Sequence, residues 1–333
     1  MQIPYRHLGD YEPVDTARLR PGGSYKQLIE KRTHPIDELV RVHGRVPDDL
    51  LIPRACPTCG AATAELELEK DHMRIVRCGV CDLVYVNPTF DEAHYMSVYA
   101  SAEYQDIVRD LGIKSHEYRV ARFGVERVGL MKRHLPEAHP RYLDVGCSTG
   151  FVVEAARDAG WEAVGLDLNP SATEFGRGRG LDVRTVALED AGFTAGAFDA
   201  VSLFDVLEHL LDPIRTLRAC ARLLRPGGIV FLYVPNYDSA SRLLMGRDAH
   251  FIWPTHHLNY YTPVTISDLL QREGLATEYV ATEGLDIADY LWYRHEVLGR
   301  EDDGLGEIAD TLQFLANAGA YGKNLRVIAR TRG

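Results

Sequence analysis

Apolar and polar positions follow the clearest pattern in the stretch that begins at Arg141. The run RYLDVGC carries Tyr142, Leu143 and Val145 before a glycine turn, which predicts a buried strand. FVVEAARDAG predicts a helix that ends at Gly160, and EAVGLDL predicts a second strand. A strand, a glycine turn, a helix and a second strand predict a βαβ unit, the nucleotide-binding layout of a doubly wound α/β sheet.

Other patterns precede this unit. AELELEKDHMRIVR alternates as a strand does, and DLVYVNP predicts another strand. SHEYRVARFGVERVGLMKRHLP places Val120, Phe123, Val128 and Met131 at helical spacing, which predicts one helix against the sheet. We interpret residues 1–50, whose periodicity is weak, as an N-terminal extension.

Composition narrows the class of protein. The chain has 333 residues, of which 46% are hydrophobic and 26% charged, as in ordinary globular proteins. No apolar run approaches the roughly 20 residues of a membrane helix. The start lacks the features of a secretory signal, so we expect a cytoplasmic protein without a membrane partner, whose six cysteines are thiols or metal ligands. A net charge of -11 argues against a broad nucleic-acid surface.

Four cysteines form two CxxC pairs. Cys56 and Cys59 are separated from Cys78 and Cys81 by 18 residues. Four thiolates on two tight turns suit tetrahedral zinc, and a site filled by sulfur holds structure without activating water. The spacing therefore predicts a zinc ribbon over residues 51–88 with one structural zinc. Residues 89–138 are predicted to be linker helices.

The linker contains three tyrosines at Tyr95, Tyr99 and Tyr104. They could pack the ribbon onto the main domain, or one of them could close over a bound ligand.

The glycine turn departs from a dinucleotide site. Ser148 and Phe151 stand where G-x-G-x-x-G needs its second and third glycines, which disfavours a pyrophosphate. Asp167 ends the second strand, where a carboxylate can bind a ribose diol, and Asp144 before the turn suits an ammonium group. A cationic nucleoside without phosphate fits both ends, and S-adenosylmethionine (SAM) is such a ligand.

Four motifs between about residues 140 and 235 resemble the class I SAM-dependent methyltransferases of the small-molecule, ubiquinone-biosynthesis-like group. They are LDVGCSTG, GLDLNP, ALEDAGFTAGAFDAVSLFDVLEHLLDP and LLRPGGIVFLYVPN. The resemblance implies a methyltransferase domain over residues 139–333 with a Rossmann-like seven-stranded doubly wound sheet. Its last two strands, LATEYVATEG and NLRVIARTRG, would form an antiparallel hairpin.

The resemblance also implies a set of cofactor-binding residues. Asp144, Gly146 and Gly150 would line the methionine end. Family members often carry an acid where this chain has Ala187, so Glu189 or Asp190 would take over the adenine contact. Cys147 lies in the turn and is interpreted mainly as a small packing residue. The full predicted set is Asp144, Gly146, Cys147, Gly150, Asp167, Leu168, Leu188, Glu189 and Phe204.

The segment of about residues 236–300 follows the fifth strand, so we expect it to face the substrate with an aromatic wall that includes Tyr260 and Tyr261. A neutral histidine there could accept a proton from a hydroxyl, and His257, then His256, are the candidate bases. A His-His metal site is disfavoured because no carboxylate lies nearby in sequence. His209, beside Glu208, would either anchor its loop or approach the methyl group.

These patterns together predict a SAM-dependent methyltransferase that acts on a small molecule such as a sugar, a glycan precursor or a secondary metabolite. O-methylation with a histidine base is favoured. The alternatives are N- or C-methylation of a nucleotide-sugar, RNA methylation, and a non-catalytic scaffold with a SAM fold. Helices predicted after residue 284 would form a lid or a homodimer surface.

Overall fold

The computed structural model describes Gln2 and residues 7–301 and 304–332, with the backbone alone at residues 103 and 107–110. Parts of the predicted N-terminal extension and of the segment after residue 284 therefore lie outside the described residues.

The strands of the described chain form two sheets. One sheet has four strands in the order β1-β2-β3-β9, and the other has seven in the order β10-β11-β8-β7-β4-β5-β6. The strands are β1 Ala64–Lys70, β2 Met73–Cys78, β3 Val84–Val86, β4 Arg141–Val145, β5 Glu162–Asp167, β6 Asp182–Thr185, β7 Phe198–Phe204, β8 Leu224–Pro235, β9 Asn259–Tyr260, β10 Leu275–Glu283 and β11 Asn324–Thr331.

The seven-stranded sheet confirms the predicted fold class. Strands β8, β7, β4, β5 and β6 are parallel neighbours. Strand β11 is antiparallel to both β8 and β10, so the last two strands form the expected hairpin. Alternate residues of β4 enter different cores: Leu143 packs on one face of the sheet and Tyr142 on the other, as a doubly wound sheet requires.

Helices cover both faces of this sheet. Helices α7 and α8 contribute to the core around Tyr142, whereas α10 and α12 contribute to the core around Leu143. None of the helices in the described ranges is both long and apolar enough to cross a membrane. The helices are α1 Thr16–Leu19, α2 Ser24–Glu30, α3 His34–His43, α4 Glu92–Ala100, α5 Ala102–Lys114, α6 His116–Arg119, α7 Val125–Lys132, α8 Phe151–Asp158, α9 Pro170–Gly178, α10 Pro213–Leu223, α11 Ala240–Met245, α12 Pro263–Arg272, α13 Asp286–Glu296 and α14 Ala309–Ala318.

The single helix predicted before β4 is interrupted. Helices α6 and α7 are joined by a π-helical turn at Val120–Gly124. Gly124 lies so close to α8 that an added Cβ would be 2.8 Å from the Phe151 carbonyl oxygen. The close approach of two helices accounts for a glycine there, and π-turns of this kind are frequent near functional sites.

The four-stranded sheet joins two distant parts of the chain. Strands β1 to β3 come from the cysteine-containing segment, and β9 comes from the segment that follows β8. The pairing sets Val84 opposite Tyr260 and Tyr85 opposite Asn259. Tyr260 and Tyr261 are 1% and 0% exposed, so they pack in the interior instead of forming the expected aromatic wall.

Candidate active site

The candidate site lies where the order of the parallel strands reverses. Strand β4 has β5 on one side and β7 on the other. The glycine turn follows β4, and a short 3-10 turn at Leu207–His209 follows β7. Crevices at such reversal points, beyond the carboxyl ends of the strands, are where doubly wound sheets bind ligands.

The turn after β4 requires glycine at its first position. Gly146 has a φ of 77°, and an added Cβ would lie 2.4 Å from the Val206 Cγ2 atom. The amide groups of Gly146 and Cys147 both donate to the Leu166 carbonyl oxygen, at 2.8 and 2.9 Å. These bonds fix the turn against the end of β5 and bring it beside Asp167.

Asp167 at the end of β5 is held by the backbone. Its carboxylate accepts hydrogen bonds from the amides of Ser148 at 2.7 Å and Asn169 at 2.8 Å. Burial raises the pKa of Asp167, although both backbone donors oppose the rise. Leu168 beside it is 47% exposed, which leaves an apolar side chain at the rim next to a fixed carboxylate.

Asp144 on β4 points into the sheet. It is 1% exposed, and the Ser202 hydroxyl donates to its Oδ1 atom at 2.6 Å. Burial raises the pKa of Asp144 to about 7, with the Ser202 hydrogen bond acting in the opposite direction.

The remaining residues of the predicted cofactor set occupy different environments. Cys147 is 2% exposed and packs with Val153 and neighbouring apolar residues, so its side chain faces inward. Leu188 packs at the edge of the main core, and Glu189 is 3.5 Å from Arg215. Phe204 is 6% exposed and edge-to-face with Phe231, and Gly150 caps α8 with a φ of 78°.

Two arginines that the sequence analysis missed lie near these carboxylates. The Arg127 guanidinium lies 4.3 Å from the centre of the Phe204 ring, and its charge lowers the pKa of Asp144 against the larger effect of burial. The charges of Arg127 and Arg119 likewise lower the pKa of Asp205, against the larger effect of burial. Neither guanidinium forms an ion pair with a described carboxylate, which leaves both cations available to an anionic ligand. The sequence did indicate that the two arginines lie together, because they are eight residues apart on a predicted helix and such residues share a helix face.

One carboxyl group and two imidazoles meet just after β7. One potential ligand atom from each of Glu208, His209 and His257 lies within 4.8 Å of the other two. His209 Nε2 is 3.9 Å from Glu208 Oε1, and the two imidazole rings are edge-to-face with centroids 4.8 Å apart. No carboxylate lies near His257 in sequence, but the fold brings Glu208 beside it.

The surrounding protein favours the neutral form of each of the three groups, which is the protonated carboxyl for Glu208 and the imidazole for the two histidines. Burial raises the pKa of Glu208 well above its usual value, and the charge of Asp205 adds to the rise. Burial lowers the pKa of His209 to about 4. Burial and then the neighbouring His209 hold the pKa of His257 well below its usual value. Both rings are therefore neutral imidazoles at pH 7.

His256 is placed differently from His257. It is 3% exposed, its Nδ1 atom is 3.0 Å from the Thr255 hydroxyl, and burial lowers its pKa to about 3. Tyr104 stacks on it at 5.9 Å, and Tyr99 meets Tyr104 edge-on at 5.0 Å.

Of the three linker tyrosines, Tyr95 packs as predicted against the ribbon segment, and Tyr104 has a different environment. Tyr95 is buried and bonds the Thr89 hydroxyl at 2.6 Å, which ties the linker to the end of the ribbon segment. Tyr104 instead lies between the two halves of the site. Burial raises its pKa, and the charges of Asp167 and Glu208 both add to the rise.

The cysteine-containing segment fixes the position of these histidines. Beyond the β3–β9 pairing, the Leu258 amide donates to the Glu208 carbonyl oxygen at 2.7 Å. The Asn259 side chain donates to the Leu210 carbonyl oxygen at 2.7 Å, and Arg54 donates to the Leu258 carbonyl oxygen at 2.8 Å. The loop that carries His257 is therefore clamped between the ribbon segment and the turn after β7.

The four ribbon cysteines converge in space. Cys56 and Cys81 have their sulfur atoms 3.5 Å apart, as do Cys59 and Cys78, and all four lie within 4.8 Å of one another. All four are free thiols. Tetrahedral zinc with zinc–sulfur bonds of ~2.3 Å places its ligands about 3.8 Å apart. The cluster thus fits one zinc ion.

The chain is similar in sequence to known methyltransferases. The profile of a family described as a methyltransferase domain matches residues 114–280. The ubiquinone biosynthesis O-methyltransferase of Xanthomonas axonopodis pv. citri is 34% identical over 168 residues, which are 46% of this chain and 70% of that protein. The Thiobacillus denitrificans enzyme of the same name is 35% identical over 156 residues, 43% and 67% of the two chains.

Among solved structures, the fold is similar to a chain of the complex that the Haloferax volcanii Trm112 methyltransferase activator forms with a methyltransferase. The TM-score is 0.50 at 18% identity, over 71% of this chain and 97% of that chain.

Proposed function

Since the chain belongs to the class I SAM-dependent methyltransferases, we propose that it methylates a hydroxyl oxygen of a small molecule. When bound, SAM supplies an electrophilic methyl group, so the protein has mainly to position the acceptor and remove its proton. The observation that carries the proposal is the pair of neutral imidazoles of His209 and His257, which meet beside Glu208 in the turn that follows β7, the strand next to β4. Relatives named O-methyltransferases support oxygen as the acceptor.

The residues present suit SAM at both ends. Asp167 would hold the ribose, because its carboxylate is fixed by two amides at the carboxyl end of β5. Arg119 and Arg127 would hold the carboxylate of the methionine portion, because both cations lack an ion-pair partner among the described side chains. Leu168 would flank the adenine from its exposed position at the rim.

His257 is the proposed base. Its Nδ1 atom lies 2.8 Å from the Phe251 carbonyl oxygen, which can only accept, so Nδ1 carries the proton and Nε2 keeps its lone pair. His256 is the second candidate, and its near-complete burial behind Tyr104 places it at the back of the site. Sugars, glycan precursors and secondary metabolites remain the proposed substrate classes, since they offer hydroxyl groups.

We also propose that Cys56, Cys59, Cys78 and Cys81 hold a structural zinc ion. Four thiolates close the coordination shell, so this ion would stabilise the ribbon without taking part in the reaction.

Isothermal titration with SAM and S-adenosylhomocysteine tests the cofactor site. We expect micromolar binding that is lost in Asp167→Ala and kept in Asp182→Asn, an exposed acid on the neighbouring strand. A screen of hydroxyl-bearing acceptors then tests the reaction, where His257→Gln should keep SAM affinity while kcat falls about 10²- to 10⁴-fold. Failure of the intact protein to bind SAM, or methyl transfer to nitrogen only, would contradict the proposal.

A further inference from the structure

Several side chains in the crevice lie deep in the protein and are nevertheless accessible. Asp205 follows β7 directly and is exposed, although burial raises its pKa. Tyr233 on β8 and His257 are half-buried, and burial is the largest influence on the pKa of each. Side chains that combine depth with accessibility line an internal cavity. The cavity therefore continues from the end of β7 towards the end of β8.

Residues 15–33, which we call the spanning segment, are tied to both sides of this crevice. At one end, the Asp15 amide donates to the Tyr118 hydroxyl of α6 at 2.8 Å. At the other end, the Trp253 indole donates to the Arg32 carbonyl oxygen at 2.9 Å, and this indole belongs to the loop that carries the proposed base. Since α6 leads into the arginines proposed for SAM, the spanning segment crosses the crevice from its cofactor side to its base side.

The spanning segment contributes Arg20 to a buried charged group. Asp289 is 0% exposed and lies 2.8 Å from the Arg20 guanidinium and 2.5 Å from the Lys323 ammonium. Burial acts to raise the pKa of Asp289, but the charges of Arg20 and Lys323 together hold it below its usual value. The group thus has two positive charges and one negative charge. An unbalanced charge is costly in the interior of a protein, so the group favours an additional anion.

The excess positive charge lies beside the cavity. Lys323 precedes β11, and the Asn236 amide donates to its carbonyl oxygen at 2.7 Å, which places it at the carboxyl end of β8. Burial has the largest effect on the pKa of Asp205 and of His257, and the Lys323 charge lowers both. Lys323 is therefore close to the proposed base. SAM is itself a cation, so its binding adds positive charge and does not balance the excess.

We propose that Arg20 and Lys323 bind a carboxylate of the acceptor molecule, so that the preferred substrates are hydroxy acids. The inference rests on the proposed function, because the acceptor has to reach from this charged group to His257. One excess positive charge matches one carboxylate, to which a guanidinium can offer two parallel donors. The Arg20 guanidinium lies 3.5 Å from the centre of the Tyr25 ring, which holds its plane in place. Among the proposed substrate classes, uronic acids and acidic secondary metabolites are favoured over neutral sugars.

Matched pairs of acceptor probes test the inference on the full-length protein saturated with S-adenosylhomocysteine, whose own carboxylate would occupy Arg119 and Arg127. The pairs are gallate with its amide, and glucuronate with glucose. In at least one pair we expect the acid to bind roughly 10- to 100-fold more tightly than its neutral partner, the effect of one charged hydrogen bond. Arg20→Gln and Lys323→Gln should each abolish this difference without changing the affinity for the neutral partner. Arg20→Lys, which keeps the charge, should restore part of it.

Lys26→Gln is the matched control, because Lys26 belongs to the same segment and pairs with Glu296 at the surface at 2.7 Å. It should keep the full preference for the acid. Titration with S-adenosylhomocysteine verifies the folding of each variant, and if Arg20→Gln does not fold, Lys323→Gln decides alone.

Two results would overturn the inference. One is equal binding of acid and neutral partner in both pairs by a protein that still binds S-adenosylhomocysteine, and methyl transfer to neutral hydroxyls would then keep the proposed function. The other is tighter binding of glucose phosphate than of glucuronate, because a dianion does not match one excess charge. A preference for acids without O-methyl products would instead keep the carboxylate site and reject the proposed reaction.

Discussion

Glu154 binds Arg179 and His116, and His116 in turn contacts the glycine turn. Glu154 lies on α8, where Arg179 donates two hydrogen bonds of 2.8 Å to its carboxylate. His116 is 2.8 Å from the same carboxylate and, through its other ring nitrogen, 2.8 Å from the Thr149 hydroxyl in the turn. Replacement by glutamine keeps the shape and removes the charge, so we expect Glu154→Gln to destabilise both the fold and the turn.

The size of the expected destabilisation follows from the pKa of the Glu154 carboxyl. The hydrogen bonds from Arg179 outweigh burial and, with His116, lower the pKa of Glu154 from 4.5 to about 2. At about 1.4 kcal/mol for each pKa unit, the difference corresponds to about 3.4 kcal/mol. Arg179 is 30% exposed, and solvent screening there reduces the effect. We expect Glu154→Gln to lower the free energy of unfolding by about 2 kcal/mol at pH 7.

The sign of the pH dependence is fixed by the lowered pKa. The contribution of Glu154 is complete above pH 4.5 and is lost as the pH falls towards 2, because the unfolded carboxyl binds its proton first. Urea unfolding between pH 7 and pH 3.5 should therefore show a gap between wild type and Glu154→Gln that narrows below pH 4.5. The control is Asp182→Asn, whose pair with Arg184 is equally short at 2.7 Å but about half exposed, and which should cost under about 0.5 kcal/mol. A Glu154→Gln protein as stable as this control, or a gap independent of pH, would refute the reasoning.

Two further changes probe the turn and the ribbon. Gly146→Ala places a Cβ against Val206 and forces a left-handed alanine, which costs about 1–2 kcal/mol before the clash is counted. SAM affinity measured by titration should therefore fall at least about tenfold. Unchanged affinity would count against the assigned turn. Cys59→Ala should lose the zinc of the ribbon and expose residues 53–88 to protease, whereas replacement of the buried Cys220 by alanine should keep the zinc. Equal zinc content in both variants would contradict zinc binding by the four ribbon cysteines.

The sequence was most informative where a function depends on residues that are close along the chain. The turn from Asp144 to Gly150 and the carboxylate at Asp167 belong to one βαβ unit, so their spacing predicts their geometry. The two CxxC pairs are likewise local, and their sulfur atoms do converge. The spacing of Val120, Phe123, Val128 and Met131 also predicted one helix. It could not detect that Gly124 touches α8 and that a π-turn interrupts the helix.

Apolar patterning, glycine positions and cysteine spacing by themselves determined the doubly wound sheet, the turn that suits SAM and the four-cysteine cluster, because each follows from local backbone geometry. Only the tertiary structure decided the chemistry across the crevice. It pairs β9 with the ribbon strand β3, which carries His257 to Glu208 and His209. Contacts between residues so far apart depend on how separate elements pack, and no spacing along the chain records that.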